Sequence, residues 1–287
     1  MNTPLFSILI AQYNNGNYLA KAIDSVKSQT YTNWEIILVD DFSTDNSKNL
    51  YKQYESDDRI KIYYNDENKG CGYTKRRCAE LANGELCGFL DPDDALTPDA
   101  LEIMVEMHNT NPQNSLIGSC YWACNENLVP DWHSTKRIVP EGYSYLTNAE
   151  HAPLAFASYK NAFYKKTQGI DADLKRAVDL DLFLKLEEIA PLLYLDNILY
   201  YYRLHKTNIS TSGDYKGLFW HCLVITKACY RRGINPETVV NDLLVKHMKF
   251  YVQNYLGVSQ LGQKISFFHR VKRKIKKCAK KIIKKIF

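Results

Sequence analysis

Hydrophobic residues fall in short unbroken runs along the first half of the chain, and each run ends on a polar cluster. The run FSILIA at 6–11 has strand length and is followed by a polar turn at 12–17. Leu19, Ala22, Ile23 and Val26 then recur at helical spacing and predict a helix over 18–28. A second run, WEIILV at 34–39, predicts a strand ending on Asp40 and Asp41. Ser43, Thr44 and Asp45 supply N-cap chemistry for a helix to about residue 54, which leaves the Asp pair without a structural job. The alternation continues with a strand at 59–64, a helix at 72–81, and a strand at 85–90 that runs into Asp91, Pro92, Asp93 and Asp94. Thr97, Pro98 and Asp99 then open a helix to about residue 108, and 115–123 reads as a fifth strand.

Apolar strands alternating with helices predict an α/β chain with a mostly parallel central sheet flanked by helices. In such sheets ligands bind beyond the carboxyl ends of the strands. The polar clusters at 12–15, 40–45 and 91–94 all lie at those ends and are expected to converge on one crevice. After about residue 126 the alternation weakens. Residues 154–164 are ambiguous, 177–188 form an amphipathic helix, and 192–204 read as two short strands around Asp196 and Asn197. Two helices split near 232–236 fill 215–256. The expected organisation is a catalytic domain over 1–214, with halves at about 1–125 and 126–214, and a helical extension over 215–287.

Composition narrows the class. The 287 residues are 45% hydrophobic and 24% charged, with only 13 Gly and 9 Pro, which fits a globular chain and excludes disorder and collagen-like repeats. No apolar run reaches the roughly 18 to 20 residues of a membrane-spanning helix. The first residues lack a basic stretch and a cleavage site, so no signal peptide is expected. The 8 cysteines contain no C-x-x-C pair, and several sit in apolar runs; buried thiols in a reducing cytosol are expected. The net charge of +5 is unevenly spread: 264–287 hold 11 Lys or Arg and no acid, leaving 26 basic against 32 acidic groups on 1–263. A mildly acidic body with a basic end argues against a nucleic-acid binder.

The acidic clusters carry the candidate chemistry. Asp91, Asp93 and Asp94 follow an apolar strand directly, and three carboxylates in four residues repel one another. A capped turn is the plain reading; a divalent-cation site is the functional one, since hard ions take oxygen ligands and share them with substrate phosphates. Asp40 and Asp41 can accept from ribose hydroxyls or a base N–H, and Tyr13 offers an aromatic face. Two fold relatives are excluded by the first turn, AQYNNGN, whose single Gly fits neither the G-x-G-x-x-G of a dinucleotide enzyme nor the Gly-rich loop of a nucleotidyltransferase.

The stretches SILIAQYNNGNYLAKAIDSVKSQTYTNWEIILVDDFSTDNS and NKGCGYTKRRCAELANGELCGFLDPDDAL resemble the nucleotide-binding half of family 2 glycosyltransferases with the GT-A fold. QGIDADLKRAVDLDLFLKLEE and ILYYYRLHKTNIS extend the resemblance over roughly 4–212. It implies inverting transfer of a sugar from a nucleotide-sugar donor, usually UDP-linked, with Mn²⁺ or Mg²⁺ at a D-x-D-type motif. By position, Ala11, Tyr13, Asp40 and Asp41 would hold the nucleoside, with Asp91 and Asp93 at the ribose and diphosphate. Asp93, Asp94 and His205 would hold the metal. Lys75 stands where many relatives have Arg. The family's catalytic Glu-Asp pair aligns with Val178 and Asp179, so the acid that would take the acceptor proton is present and its neighbour is replaced. Arg203, His205 and Lys206 would offset charge on the departing diphosphate. The alternative, carried by Val178, is a catalytically impaired nucleotide-sugar-binding or membrane-tethered scaffold.

Acceptor contacts are expected from the 120–170 stretch, where Tyr121, Trp122, Trp132 and His151 can stack on sugars or simply pack. At the basic end, Phe268, Val271, Ile275, Cys278, Ile282 and Ile286 make one apolar helical stripe amid Lys and Arg. That pattern predicts a helix lying on an anionic membrane surface. The expected location is cytoplasmic, peripheral on the inner face of the cell membrane, where a saccharide or lipid-linked acceptor would be met.

Overall fold

The computed structural model describes residues 3–135, 144–148, 155–205 and 215–255. Four apolar runs form β1 (Phe6–Gln12), β2 (Trp34–Asp40), β3 (Ile60–Tyr64) and β4 (Leu86–Phe89), paired in the order β3-β2-β1-β4 and all parallel. The sequences of β1 and β2 do not alternate because both of their faces are covered. Ile8, Ile10, Ile36 and Leu38 share one cluster with Leu19, Ile23 and Val26 of α1 (Gly16–Lys27). On the other face Leu9, Ile37 and Val39 are equally buried, and α3 (Cys71–Leu81) packs on these strands. Each fully buried Ile or Leu contributes roughly 1.5–3 kcal/mol, so this double cover outweighs any strand propensity. Helix α2 (Ser47–Tyr51) is shorter than its pattern predicts.

The second half adds β5 (Ala95–Leu96), α4 (Ala100–Thr110), β6 (Leu116–Cys124), β7 (Pro130–His133) and α5 (Tyr145–Asn148). The ambiguous stretch resolves into β8 (Ala157–Lys160) and α6 (Asn161–Tyr164), followed by α7 (Val178–Glu187) and β9 (Leu192–Arg203). Strand β8 lies antiparallel between β4 and β6, and β9 runs parallel beside β6 with β5 antiparallel at the edge. Parallel pairing therefore holds for the first four strands and for β6 with β9, while β5, β7 and β8 are antiparallel additions. The two short strands expected over 192–204 are one strand. Its register against β6 jumps from Tyr194↔Gly118 to Ile198↔Cys120, and the exposed Asp196 and Asn197 bulge outward without reversing the chain.

Helices α8 (Tyr215–Arg231) and α9 (Pro236–Tyr255) match the two helical patterns. A first compact unit runs through Pro236 and includes α8, which packs on α7; residue 214, the expected boundary, falls inside it. The second unit begins at Glu237, and its described part is the remainder of α9. The basic amphipathic stretch over 264–287, Lys206 and His151 lie outside the described residues. Among those described, no helix is long and apolar enough to cross a membrane, and the seven cysteines are all free thiols.

One buried acid ties the parallel strands together. Glu35 accepts from Ser7 Oγ at 2.7 Å, from Lys61 Nζ at 2.7 Å and from the Asn83 N–H at 2.8 Å, joining β1, β2, β3 and the turn before β4. Burial alone would raise its pKa; Lys61, Ser7 and Asn83 outweigh it and hold the carboxyl below its usual value of 4.5. A carboxyl held low stabilises the fold above its unfolded-state pKa and loses that effect as pH falls through the folded-state value. Glu35→Gln should therefore cost about 1–3 kcal/mol at pH 7, with the gap from the parent narrowing below about pH 4.5. Urea unfolding at pH 7 and pH 3 checks this; an unchanged gap at pH 3 contradicts it.

Candidate active site

The three polar clusters meet at one end of the sheet, and the first two are laced together. The Asp41 N–H donates to the Gln12 carbonyl at 2.8 Å, and Asn14 Oδ1 accepts from the Thr44 N–H at 2.8 Å. Asp45 accepts from the Gly16 N–H at 2.9 Å and from the Ser47 N–H at 3.0 Å, so one side chain serves the starts of both α1 and α2. Asp40 is fully buried, with one oxygen on the Ser43 N–H and the other on the Tyr51 hydroxyl, each at 2.6 Å. Asp41 accepts from Asn65 Nδ2 at 2.7 Å and from the N–H groups of Lys69 and Gly70 at 2.8 Å. The expectation that this pair lacks structural work is overturned: Asp40 holds the turn after β2, and Asp41 pins the approach to α3. Tyr13, beyond the half-buried Ala11, stays 46% exposed after β1, and Phe42, directly after Asp41, is exposed with φ 66°.

The third cluster is built around a buried cation. Lys75 comes off α3 and sets its Nζ 2.8 Å from Asp179 Oδ1 and 3.2 Å from Asp91 Oδ1. It also lies over the Phe89 ring, 5.0 Å from the centroid. Burial works against the ammonium, but Asp179 and Asp91 outweigh it and hold its pKa well above the usual lysine range. The two carboxylates are 49% and 46% exposed, so both reach solvent while the cation between them does not.

Asp93 and Asp94 point elsewhere. His205 Nε2 lies 2.9 Å from Asp93 Oδ2, and the His205 ring rests on Tyr18 with centroids 4.8 Å apart. Asp94 is 1% exposed and accepts the Arg203 main-chain N–H at 2.7 Å. Burial first, and then repulsion from Asp91, raises the Asp93 pKa against the opposing His205; Asp94 is raised well above its usual value by burial and by Asp93 and Asp91. Arg203 is buried, stacks over Tyr18 at 4.7 Å, and donates to the carbonyls of Asp93 and Glu126. Its guanidinium thus braces the Asp91–Asp94 turn against β9. Two carboxylates and an imidazole suit a hard divalent cation. The three-ligand set Asp93, Asp94 and His205 is nevertheless not assembled, since no three such side chains converge among the described residues.

Asp179 is the second residue of α7, and Ala177, just before the helix, lies in the left-handed region at φ 58°. Val178, which the resemblance sets against a Glu, is buried. The segment before α7 is clamped from two sides. The Gly72 N–H donates to the Leu174 carbonyl at 2.9 Å, and Lys175 Nζ donates to the Lys69 carbonyl at 2.9 Å. Asp181, fully buried, accepts from the Asp171 N–H at 3.0 Å and from Lys185 Nζ at 2.7 Å, and Lys185 also donates to the Gly169 carbonyl.

Asp179, Lys75, Asp91 and Asp94 share a cavity of about 190 Å³ with Phe89, Phe156, Phe183, Tyr200 and Tyr202. Strand pattern and motif position identify the charged members. The aromatic wall was missed, because Phe156 sits in the ambiguous stretch and Tyr200 and Tyr202 read as ordinary strand residues; the period-2 spacing of those two tyrosines was the available signal.

The sequence model for glycosyl transferase family 2 matches residues 7–167. The chain belongs to that family, and it is a glycosyltransferase with the GT-A fold. It is 29% identical over 251 residues to the chondroitin synthase of Escherichia coli, covering 83% of this chain and 35% of that protein. It is 31% identical over 241 residues to the hyaluronan synthase of Pasteurella multocida, covering 80% of this chain and 24% of that protein. The chain thus spans about a third or less of the length of these relatives. TarS from S. aureus, solved in complex with UDP, is similar in fold at a TM-score of 0.66 and 18% identity, over 90% of this chain and 76% of that one.

Gly72 is where α3 and the approach to Asp179 touch. A Cβ there would lie 2.5 Å from the Leu174 carbonyl and 2.6 Å from the Asp171 carbonyl, both main chain and unable to rotate away. Gly72→Ala should lower stability by about 1–3 kcal/mol through this overpacking. Chemical unfolding measures it, and a variant as stable as the parent would show that 171–174 do not bear on α3.

Proposed function

We propose that this chain transfers a sugar, with inversion and with the help of a divalent cation, from a UDP-linked donor to a hydroxyl of a saccharide or lipid-linked saccharide. The observation that carries the reading is Asp179, solvent-reaching and bonded to Lys75, at the mouth of a cavity that also holds Asp91. An acceptor hydroxyl has a very high pKa, so its proton must leave as attack proceeds. The acceptor oxygen forms a bond to the anomeric carbon, the bond from that carbon to the diphosphate breaks, and the proton passes to the Asp179 carboxylate. A base on the side opposite the leaving group gives inversion. Lys75 holds that carboxylate in place through its 2.8 Å contact and presents positive charge toward Asp91 and the donor phosphates.

Tyr13 and the main chain at Ala11 are assigned to the nucleoside, with Asp40 and Asp41 shaping its loops from beneath. Asp91 and Asp93 face the ribose and diphosphate. Asp93 and His205 would hold Mn²⁺ or Mg²⁺ with Asp94 beside them, the donor's phosphate oxygens completing the shell, and the ion would offset charge on the departing diphosphate. Arg203 acts by holding this turn in place. Lys206 adjoins the same strand end in sequence. The UDP complex of TarS and the polysaccharide-synthase names of the relatives support the donor and acceptor classes. The basic run over 264–287 supports attachment to an anionic membrane surface, each basic residue near it adding about 1 kcal/mol.

Asp179→Asn should lower transfer from UDP-sugars in Mn²⁺ by about 10²–10⁴-fold while UDP binds no more weakly, because the residue meets the acceptor. Turnover assays with calorimetry of UDP, each with Mn²⁺ and with EDTA, read both effects. Retention of more than about a tenth of turnover removes Asp179 from the role of base. Equal UDP affinity in EDTA and in Mn²⁺ removes the cation.

A further inference from the structure

The aromatic wall of the cavity does not stop at its rim. Registered neighbours in a sheet share a face, and residues two apart along a strand share it too. Tyr121 is opposite Tyr200, and Ala123 is opposite both Tyr202 on β9 and Trp132 on β7. Tyr200, Tyr202, Tyr121 and Trp132 therefore lie on one face of the sheet, the face that lines the Asp179 cavity. Trp122 is on the reverse face, packed edge-on against His133 at 5.0 Å. Successive rings on the cavity face are in contact: Tyr202 to Tyr121 at 5.6 Å and Tyr121 to Trp132 at 6.0 Å between centroids.

Exposure rises along this row. Tyr200 is buried in the cavity, Tyr202 and Tyr121 are half-buried, and Trp132 is 49% exposed on a strand whose four residues all face solvent. Trp132 therefore adds little to the core, yet it continues a row that begins beside the proposed base. Tyr and Trp each combine an apolar face with a polar edge. That is the surface a pyranose matches, with C–H groups on its faces and hydroxyls around its rim. Tyr200 and Tyr202 line the cavity of about 190 Å³, and Tyr121 and Trp132 continue the row beyond its lining.

From this juxtaposition we propose that Tyr202, Tyr121 and Trp132 form an extended acceptor track that binds a saccharide chain of at least three sugar units. The terminal sugar presents its hydroxyl to Asp179, and the sugars behind it lie along Tyr202 and Tyr121 and out to Trp132. The proposal rests on the glycosyl-transfer reading of the same cavity and adds the length of acceptor that the site recognises. Trp132 here is a binding residue remote from the reacting atoms, so its removal weakens long acceptors selectively.

The test uses the full chain with UDP and Mn²⁺ present, and calorimetry of chondroitin, hyaluronan and chitin oligosaccharides of two, four and six sugars. At least one series should bind, the tetrasaccharide more tightly than the disaccharide. Trp132→Leu should weaken the tetrasaccharide about tenfold, and Trp132→Phe, which restores an aromatic face, should recover most of the loss. Because Trp132 is on an exposed strand, thermal unfolding of both variants should match the parent. Parent protein that binds UDP but treats all lengths alike, binds none of the three series, or is indifferent to Trp132→Leu overturns the track. Parent protein that binds no UDP overturns instead the donor reading beneath it.

Discussion

The site depends on a single buried ammonium placed between two carboxylates. Lys75 belongs to the α3 helix, Asp91 to the turn after β4, and Asp179 to the α7 helix. A lysine buried without such partners would lose several kcal/mol to desolvation or give up its proton. Folding must therefore deliver both acids to it, and in doing so it places the candidate base beside the candidate donor site.

Much of the surrounding structure serves to keep those acids in place. Asp41 and Asn65 secure the approach to α3, Gly72 admits the main chain of 171–174, and Asp181 with Lys185 fastens that segment from below. On the other side Arg203 donates to the carbonyls of Asp93 and Glu126, so β9 is tied to the Asp91–Asp94 turn. The acids that sequence reading assigns to ligands thus divide by what they touch. Asp40 and Asp41 are spent on the protein's own N–H and O–H groups, while Asp91 and Asp179 keep half of their surface open.

The parallel half of the fold was legible because its central strands β1 and β2 are buried on both faces and read as unbroken apolar runs. The convergence of the 12–15, 40–45 and 91–94 clusters followed from strand direction alone. Strands β5, β7 and β8 were not legible: two and four residues carry no period, and the pairing partners of β8 are distant in sequence. Val178 shows a limit of a different kind. A missing Glu reads as lost chemistry in a motif, whereas its replacement is a buried apolar anchor for the helix that carries Asp179. The partner of Asp179 is likewise invisible in sequence, since Lys75 and Asp179 are separated by 104 positions.

The coupling between those two residues can be measured by a double-mutant cycle. Unfolding free energies of the parent, Lys75→Met, Asp179→Asn and the double variant isolate the pair from the rest of the site. Because Asp179 is half-exposed and screened by solvent, the coupling is expected near the low end for contacting residues, about 0.5–1 kcal/mol, and it should shrink in high salt. Lys75→Met should be less costly once Asp179 is already Asn. Additive losses, within about 0.3 kcal/mol and independent of salt, would mean that Lys75 does not hold the candidate base.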